Sequence, residues 1–204
     1  DPTQVGEFKE SKKFLSALKE YDDINALMNI NTIYHLNNRI KDGKTNEVIL
    51  MSEALHEKKI AEIADKIAAK DGIKLVLIAG PSSSGKTTFA KRLGIQLRIN
   101  GLKPVTIGTD NYFVERPDTP LDENGEYDFE TIDALDLNLF NDHLTKLIDG
   151  EEIEVPTFDF KIGSKKFLGN KMSLKEDEVL VIEGIHCLND KLTASIPDHE
   201  KFKI

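Results

Sequence analysis

Gly80-Pro81-Ser82-Ser83-Ser84-Gly85-Lys86-Thr87, entered from the apolar run Leu75-Val76-Leu77-Ile78-Ala79, decides how this chain is read. The run is short, continuous and rich in β-branched members, which is the pattern of a strand buried on both faces of a parallel sheet. Behind it stand two glycines separated by four residues, then Lys and Thr. A helix is expected from Lys86 to about Ile99, so the pattern sits between a buried strand and a helix, the setting that makes it specific for phosphate binding. Gly80 and Gly85 permit a tight turn, the amides of Ser82, Ser83, Ser84 and the helix start point at an anion, and Lys86 adds a fixed positive charge. Thr87 offers a hydroxyl to magnesium, and Thr88, next in the first helical turn, completes the set expected to bind the nucleotide phosphates. Glycine- and serine-rich turns also occur without a ligand, but not commonly with the whole pattern in this setting.

Working outward, Gly101 ends that helix and a second strand is expected at Val105-Thr106-Ile107-Gly108-Thr109, completing a strand, crossover helix, strand unit. A third buried strand is Val179-Leu180-Val181-Ile182. The spacing predicts a helix over 132–148, a turn at Asp149-Gly150, and hairpin strands around 153–160 and 166–172. The stretch 110–131 is long for a connection and carries Pro117, Pro120 and Gly125, which favours an active-site loop. From Glu115 to Asp136 it holds nine acidic residues against Arg116 alone, most of which should be solvated surface.

Two carboxylates are placed by the strands. Glu183 follows the third buried strand directly, before Gly184, and is the candidate for metal handling. Asp110 follows Thr109, so in a parallel sheet it projects from the same carboxyl edge as the glycine loop. There it can orient an acceptor hydroxyl and take its proton late; the plain alternative is a turn-forming Asp before Asn111.

The first third of the chain reads as amphipathic surface helices, on Phe8, Leu15 and Leu18 and on Leu55, Ile60, Ile63, Ala64 and Ile67. Ser52 is the expected N-cap, and Asp71-Gly72 supplies turn chemistry, so the boundary is set near Lys70: residues 1–70 a small, mainly helical domain, residues 71–204 the phosphate-loop domain. His35 and His56 are solitary on helices and no metal is expected there.

The 204 residues are enough for one well-filled core with a small appendage. A net charge of −9 opposes polyanions such as duplex nucleic acid. Cys187 is the only cysteine, which forbids an internal disulfide and suggests a reducing, cytoplasmic compartment. Asp1 to Glu10 lack a secretory pattern, and no apolar run approaches membrane-spanning length.

Gly80 to Thr88, Thr109-Asp110-Asn111-Tyr112-Phe113, Tyr127-Asp128-Phe129-Glu130, Phe158-Asp159-Phe160 and Ile182-Glu183-Gly184-Ile185-His186 together resemble the uridine kinase and phosphoribulokinase family over roughly residues 73–192. The resemblance implies an α/β P-loop NTPase fold with a doubly wound parallel sheet, and an ATP- and magnesium-dependent kinase acting on a nucleoside or a pentose derivative. It makes Lys86, Asp110 and Glu183 catalytic, and pairs Thr87 with Glu183 on magnesium. On the acceptor side it implies Asp110, Phe129, Glu130 and Phe158, with Glu130 standing where uridine kinases have a ribose-binding Asp. His186 resembles the Glu-Gly-Leu-His of phosphoribulokinases. Uridine kinases follow their Tyr-Asp-Phe with a base-reading His; Gly163 stands there, so Gly163→His is expected, if the hairpin follows the family geometry, to favour pyrimidine nucleosides.

Glu53-Ala54-Leu55-His56-Glu57 and its surroundings resemble the threonyl-tRNA synthetase-like region that precedes some bacterial uridine kinase-like proteins. Two other classes stay in view. A guanine-nucleotide switch would carry Asn-Lys-x-Asp, and Asn170-Lys171-Met172-Ser173 lacks the final carboxylate. An RNA-linked binding module is opposed by the acidic balance. A small-molecule acceptor is the expected partner, with homo-oligomers compatible. Four central strands are counted where a doubly wound sheet usually has five or more, and the chain starts at Asp1. A truncated C-terminus is therefore expected, without the arginine-bearing lid that the family has beyond this point.

Overall fold

The structure is a computed structural model that describes residues 11–204. The readings on Phe8 and on Asp1 to Glu10 lie outside the described residues. The chain divides into two compact units, Asp1–Lys58 and Lys59–Ile204.

The first unit contains helices α1 (Lys12–Leu27) and α2 (Ile33–Lys41) and the start of α3 (Thr45–Ala68). Thr32 caps α2 by accepting the His35 amide at 3.2 Å; α2 has no buried residue, while Met28 after α1 and Val48 in α3 are buried. Leu15 and Leu18 on α1 are exposed. Ser52 is not an N-cap. It lies inside α3, where its hydroxyl donates to the Val48 carbonyl at 2.8 Å, because a serine within a helix can satisfy itself one turn back without ending the helix. The expected boundary near Lys70 differs from the division at Lys58, since Ile60, Ala64 and Ile67 of α3 are buried with the second unit's strands.

The second unit is built on β1 (Leu75–Ala79), α4 (Lys86–Ile99), β2 (Lys103–Gly108), α5 (Leu137–Ile148), the short strands β3 (Ile153–Glu154), β4 (Thr157–Asp159), β5 (Ser164–Lys166) and β6 (Lys171–Met172), then β7 (Glu178–Gly184) and β8 (Lys201–Lys203). Four strands form one parallel sheet in the order β2-β7-β1-β8. Strand alternation sends the side chains two ways. Leu75, Leu77, Leu180 and Ile182 pack with Phe140, Leu144 and Leu147 of α5, whereas Val76, Ile78, Val179 and Val181 pack with Ala90, Leu93 and Leu97 of α4 and with the end of α3. Each fully buried aliphatic side chain of this kind contributes about 1.5–3 kcal/mol relative to exposure. That explains why β1 and β7 read as unbroken apolar runs: both faces are covered.

The predicted hairpin region forms two antiparallel ladders, β3 with β6 and β4 with β5. The helix predicted over 132–148 is broken. A 3₁₀ turn spans Ile132–Ala134, and α5 starts after Asp136, whose carboxylate accepts the Leu139 amide at 3.0 Å while its own amide donates to the Tyr112 carbonyl at 2.8 Å. Apolar spacing continued through the break, but the cap and the Tyr112 contact end the helix there. Strand β2 likewise stops at Gly108, and Thr109–Tyr112 turn as a 3₁₀ segment. Among the described residues no helix is long and apolar enough to cross a membrane.

A close approach lies between the end of β7 and the residue that follows β2. A Cβ on Gly184 would lie 2.0 Å from Thr109 Oγ1 and 3.0 Å from Thr109 Cβ, with Thr109 only 2% exposed. Gly184→Ala should therefore lower Tm by about 3–10 °C through overpacking of about 1–3 kcal/mol. Adding Thr109→Ala, which removes the two nearest atoms, should recover part of that loss. Melting followed by circular dichroism checks both variants, and an unchanged Tm for Gly184→Ala would refute the contact.

Candidate active site

Register brings the functional side chains together. Glu183 of β7 lies opposite Ile78 on β1 and opposite Gly108 on β2, so the glycine loop after β1 and the 3₁₀ turn after β2 open on either side of it, at the carboxyl edge of the sheet. Gly85 takes φ +88 and Ser83 φ +58 to turn the loop into the start of α4. The residues before Lys86 are exposed, so the amides of the loop and of the first turn of α4 are open to an anion. Lys86 Nζ donates to the Pro81 carbonyl at 2.9 Å, folded back onto its own loop.

Thr87 Oγ1 donates to Glu183 Oε1 at 2.6 Å across 96 residues of sequence. A hydroxyl and a carboxylate in direct contact beside an anion cradle form a hard-oxygen pair that suits a small divalent cation such as magnesium, which typically takes one or two protein oxygens and completes its shell with phosphate and water. Among the described residues no three His, Cys, Asp or Glu converge as a metal cluster, so this pair is the donor set to consider.

Asp110 sits on the 3₁₀ turn and is open to the cleft. Partial burial of its carboxyl, and then the neighbouring Glu183 carboxylate, raise its pKa, and Lys86 opposes them. Behind the site the Cys187 thiol donates to the Ile182 carbonyl at 3.6 Å and burial pushes its pKa up to about 12, so it is held as a thiol.

A cleft of about 260 Å³ opens beside Lys86 and Asp110, which line it with Ser82, Phe113, Phe129, Glu130, Phe160 and Ile185. Phe113 is the hub of its aromatic wall, with ring centroids 5.8 Å from Phe129, 5.5 Å from Phe158 and 5.8 Å from Phe160. Aromatic faces beside carboxylates can hold the apolar face of a ring while accepting its hydroxyl hydrogens.

Of the sequence-derived acceptor residues, Asp110, Phe129 and Glu130 line this cleft. Phe158 lies beneath it, 6% exposed and packed 5.0 Å from Phe160. His186 is not in the lining; its Nε2 is buried without a hydrogen-bond partner. Phe113 and Phe160 were visible only as members of motifs, since nothing in the sequence shows which of two aromatics two residues apart faces a cleft. Most of the acidic residues around the cleft are exposed, as expected, but some are structural: Asp122 accepts the amides of Asn124 and Glu126, Asp128 those of Glu130 and Thr131, and Glu115 that of Lys165. Asp136 also pairs with Lys165; burial works against its charge, but the Lys165 and Leu139 hydrogen bonds outweigh it and lower its pKa.

Gly163 corrects one expectation. It has φ +74, is buried, and a Cβ there would lie 2.5 Å from Arg116 Nε and 2.9 Å from its Cζ. The space a side chain would use is filled by the Arg116 guanidinium, so Gly163→His would displace the hairpin instead of adding a base-reading group.

A family model described as "Phosphoribulokinase / Uridine kinase family" matches residues 75–204. Curated relatives include a uridine kinase of Halobacterium salinarum, 29% identical over 121 residues that cover 59% of this chain and 52% of the relative. Another is inorganic pyrophosphatase TTM2 of Arabidopsis thaliana, 36% identical over 124 residues, which are 60% of this chain and 16% of the relative. The chain thus spans about half the length of the first of these and a small part of the second. The solved "putative fructose transport system kinase" from Silicibacter sp. TM1040 shares the fold at a TM-score of 0.51 and 19% identity, covering 71% of this chain and 73% of that one. With its phosphate loop, Glu183 and Asp110 gathered at one sheet edge and the family model matched from β1 to the last residue, the chain belongs to the phosphoribulokinase and uridine kinase family.

Proposed function

We propose that residues 71–204 are the kinase domain of an ATP- and magnesium-dependent phosphotransferase whose acceptor is a hydroxyl on a nucleoside, uridine-like, or on a pentose derivative. The observation that carries this reading is the convergence of Lys86, the Thr87–Glu183 pair and Asp110 beside one aromatic-walled cleft. Curated relatives named uridine kinase support the acceptor class.

In this reading Lys86 leaves the Pro81 carbonyl for the phosphate oxygens of ATP, and the loop amides of Ser82 to Lys86 with the first turn of α4 hold the same anion. Thr87 and Glu183 would hold magnesium, which when bound neutralises phosphate charge. The acceptor hydroxyl oxygen forms a bond to the terminal phosphorus, the bridging bond to ADP breaks, and the hydroxyl proton passes to the Asp110 carboxylate. A raised pKa suits that last step, because a late proton acceptor works best when its conjugate acid is not too strong. Glu130 and Phe129 would hold the acceptor ring against the wall. His186 is proposed as a minor acceptor-side residue on family likeness, and residues 1–70 as an appendage of the synthetase-like kind. The single buried cysteine, Cys187, is consistent with a reducing compartment such as the cytoplasm.

A phosphotransfer screen with labelled ATP against uridine, cytidine, adenosine, D-ribose and D-ribulose 5-phosphate tests the reading; no labelled product from any of them would overturn it. Lys86→Ala should weaken ATP binding and lower turnover by about a hundredfold or more, as loss of one fixed phosphate charge implies. Normal turnover in that variant would remove the loop from the mechanism.

Asp110→Asn should leave ATP affinity nearly intact and lower turnover by about two orders of magnitude or more. Its stability should move the other way. A carboxyl whose folded pKa is raised is penalised when ionised, from the unfolded pKa upward, and the penalty disappears when it is protonated. The variant should therefore melt higher than the wild type at pH 7, with the gain fading as pH falls through the carboxylate range. A lower Tm at pH 7 would contradict the electrostatic assignment.

A further inference from the structure

Arg116 stands outside the phosphate loop and the metal pair, yet its side chain is committed to the acceptor wall. Its amide donates to the Gly163 carbonyl at 2.8 Å, and its guanidinium donates to the Phe160 carbonyl at 2.6 Å. Between those two bonds the side chain runs over Gly163 so closely that a Cβ there would meet Arg116 Cβ at 2.7 Å and Nε at 2.5 Å. Gly163 is buried although it lies at the tip of a hairpin, between exposed Ile162 and half-buried Ser164.

The tip itself is a tight turn. The Gly163 amide donates to the Asp159 carbonyl at 2.6 Å, and Asp159 Oδ1 accepts the amides of Lys161 and Ile162. Two further ties reach the same hairpin from the loop after β2, the Phe158 amide to Asn111 Oδ1 and the Lys165 amide to Glu115 Oε1. Phe160 is the hairpin residue that lines the cleft; it is 56% exposed and has no place in the buried core to hold it. Its position therefore depends on the Phe113 and Phe158 rings it leans on and on its own backbone, and the guanidinium is bonded to that backbone.

We propose that Arg116 is the positioning and specificity-determining residue of the acceptor cleft: it holds Phe160 against the acceptor and fills the space over Gly163 from which a hairpin side chain would otherwise enter. The proposal rests on the kinase reading above, because it takes the cleft to be the acceptor site. A planar guanidinium suits both tasks, covering a glycine face and directing a donor along its plane; a lysine ammonium reaches the carbonyl as a point donor and leaves the face open. Because Phe160 would contact the acceptor before and during transfer, its displacement should weaken acceptor binding more than the chemical step.

The test combines Arg116→Ala, Arg116→Lys, Gly163→Ala and the double variant Arg116→Ala/Gly163→Ala, with uridine, D-ribose and D-ribulose 5-phosphate as acceptors. Arg116→Ala should raise the acceptor KM about tenfold or more while kcat and the KM for ATP stay within about threefold. Arg116→Lys should recover less than half of that loss on a logarithmic scale. Hydrogen exchange in the peptide over 157–166 should be faster in Arg116→Ala. Gly163→Ala should lower Tm by more in the wild-type background than in Arg116→Ala, since the methyl then has no guanidinium to displace. An unchanged acceptor KM together with unchanged hairpin exchange overturns the proposal. If the wild type phosphorylates none of the acceptors, the kinase reading fails, and the exchange rates and the Tm cycle still decide whether Arg116 holds the hairpin.

Discussion

Glu183 is held by a register in which β7 lies between β1 and β2 with almost no spare room at its end. Ala79 and Gly184 are paired across one ladder, Gly108 and Glu183 across the other, and Thr109 leaves no room for a side chain at Gly184. This crowding fixes where the loop after β1 and the turn after β2 leave the sheet. The Thr87–Glu183 hydrogen bond and the electrostatic coupling of Asp110 to Glu183 and Lys86 both follow from it. A slip of one residue in a parallel ladder would turn Glu183 to the other face and separate the pair.

The two sides of the cleft are built differently. On the glycine-loop side, strand, loop and helix are consecutive in sequence, and burial of β1 on both faces makes that piece rigid. The aromatic wall opposite is assembled from the loop after β2, the 127–130 segment and the β4–β5 hairpin, which have little core of their own. They are tied by Asn111, Glu115, Arg116 and Asp128 to backbone groups, and by Phe113 to three other rings. A wall held by side chain to backbone bonds can change shape through few substitutions, which fits a family whose named members act on different small molecules.

The acidic balance gains meaning from this assembly. Some of the carboxylates in 115–136 cap turns or pair with Lys165, and those bonds hold Glu115, Asp122 and Asp136 below the ordinary carboxylate range. Asp110 is shifted the opposite way, by partial burial and by Glu183. The carboxylates that build the loop and the carboxylate that faces the cleft are thus separated by environment and not by residue type.

What the sequence determined by itself is local. The run 75–79, the loop 80–87 and the helix 86–99 are specified by residues adjacent in the chain, because an apolar strand run, a left-handed glycine and a helix start are set by local pattern. Glu183 and Asp110 were legible as strand-end carboxylates for the same reason. Tertiary structure alone decided what depends on approach between distant segments. Apolar spacing could not reveal that Tyr112 would end the helix at Asp136, that Ser52 would bond back within a continuous helix, or which of Phe158 and Phe160 would face the cleft. Gly163 read as an open position; only the packed fold shows it filled by a guanidinium from 47 residues earlier in the chain, since excluded volume between remote segments leaves no trace in local pattern.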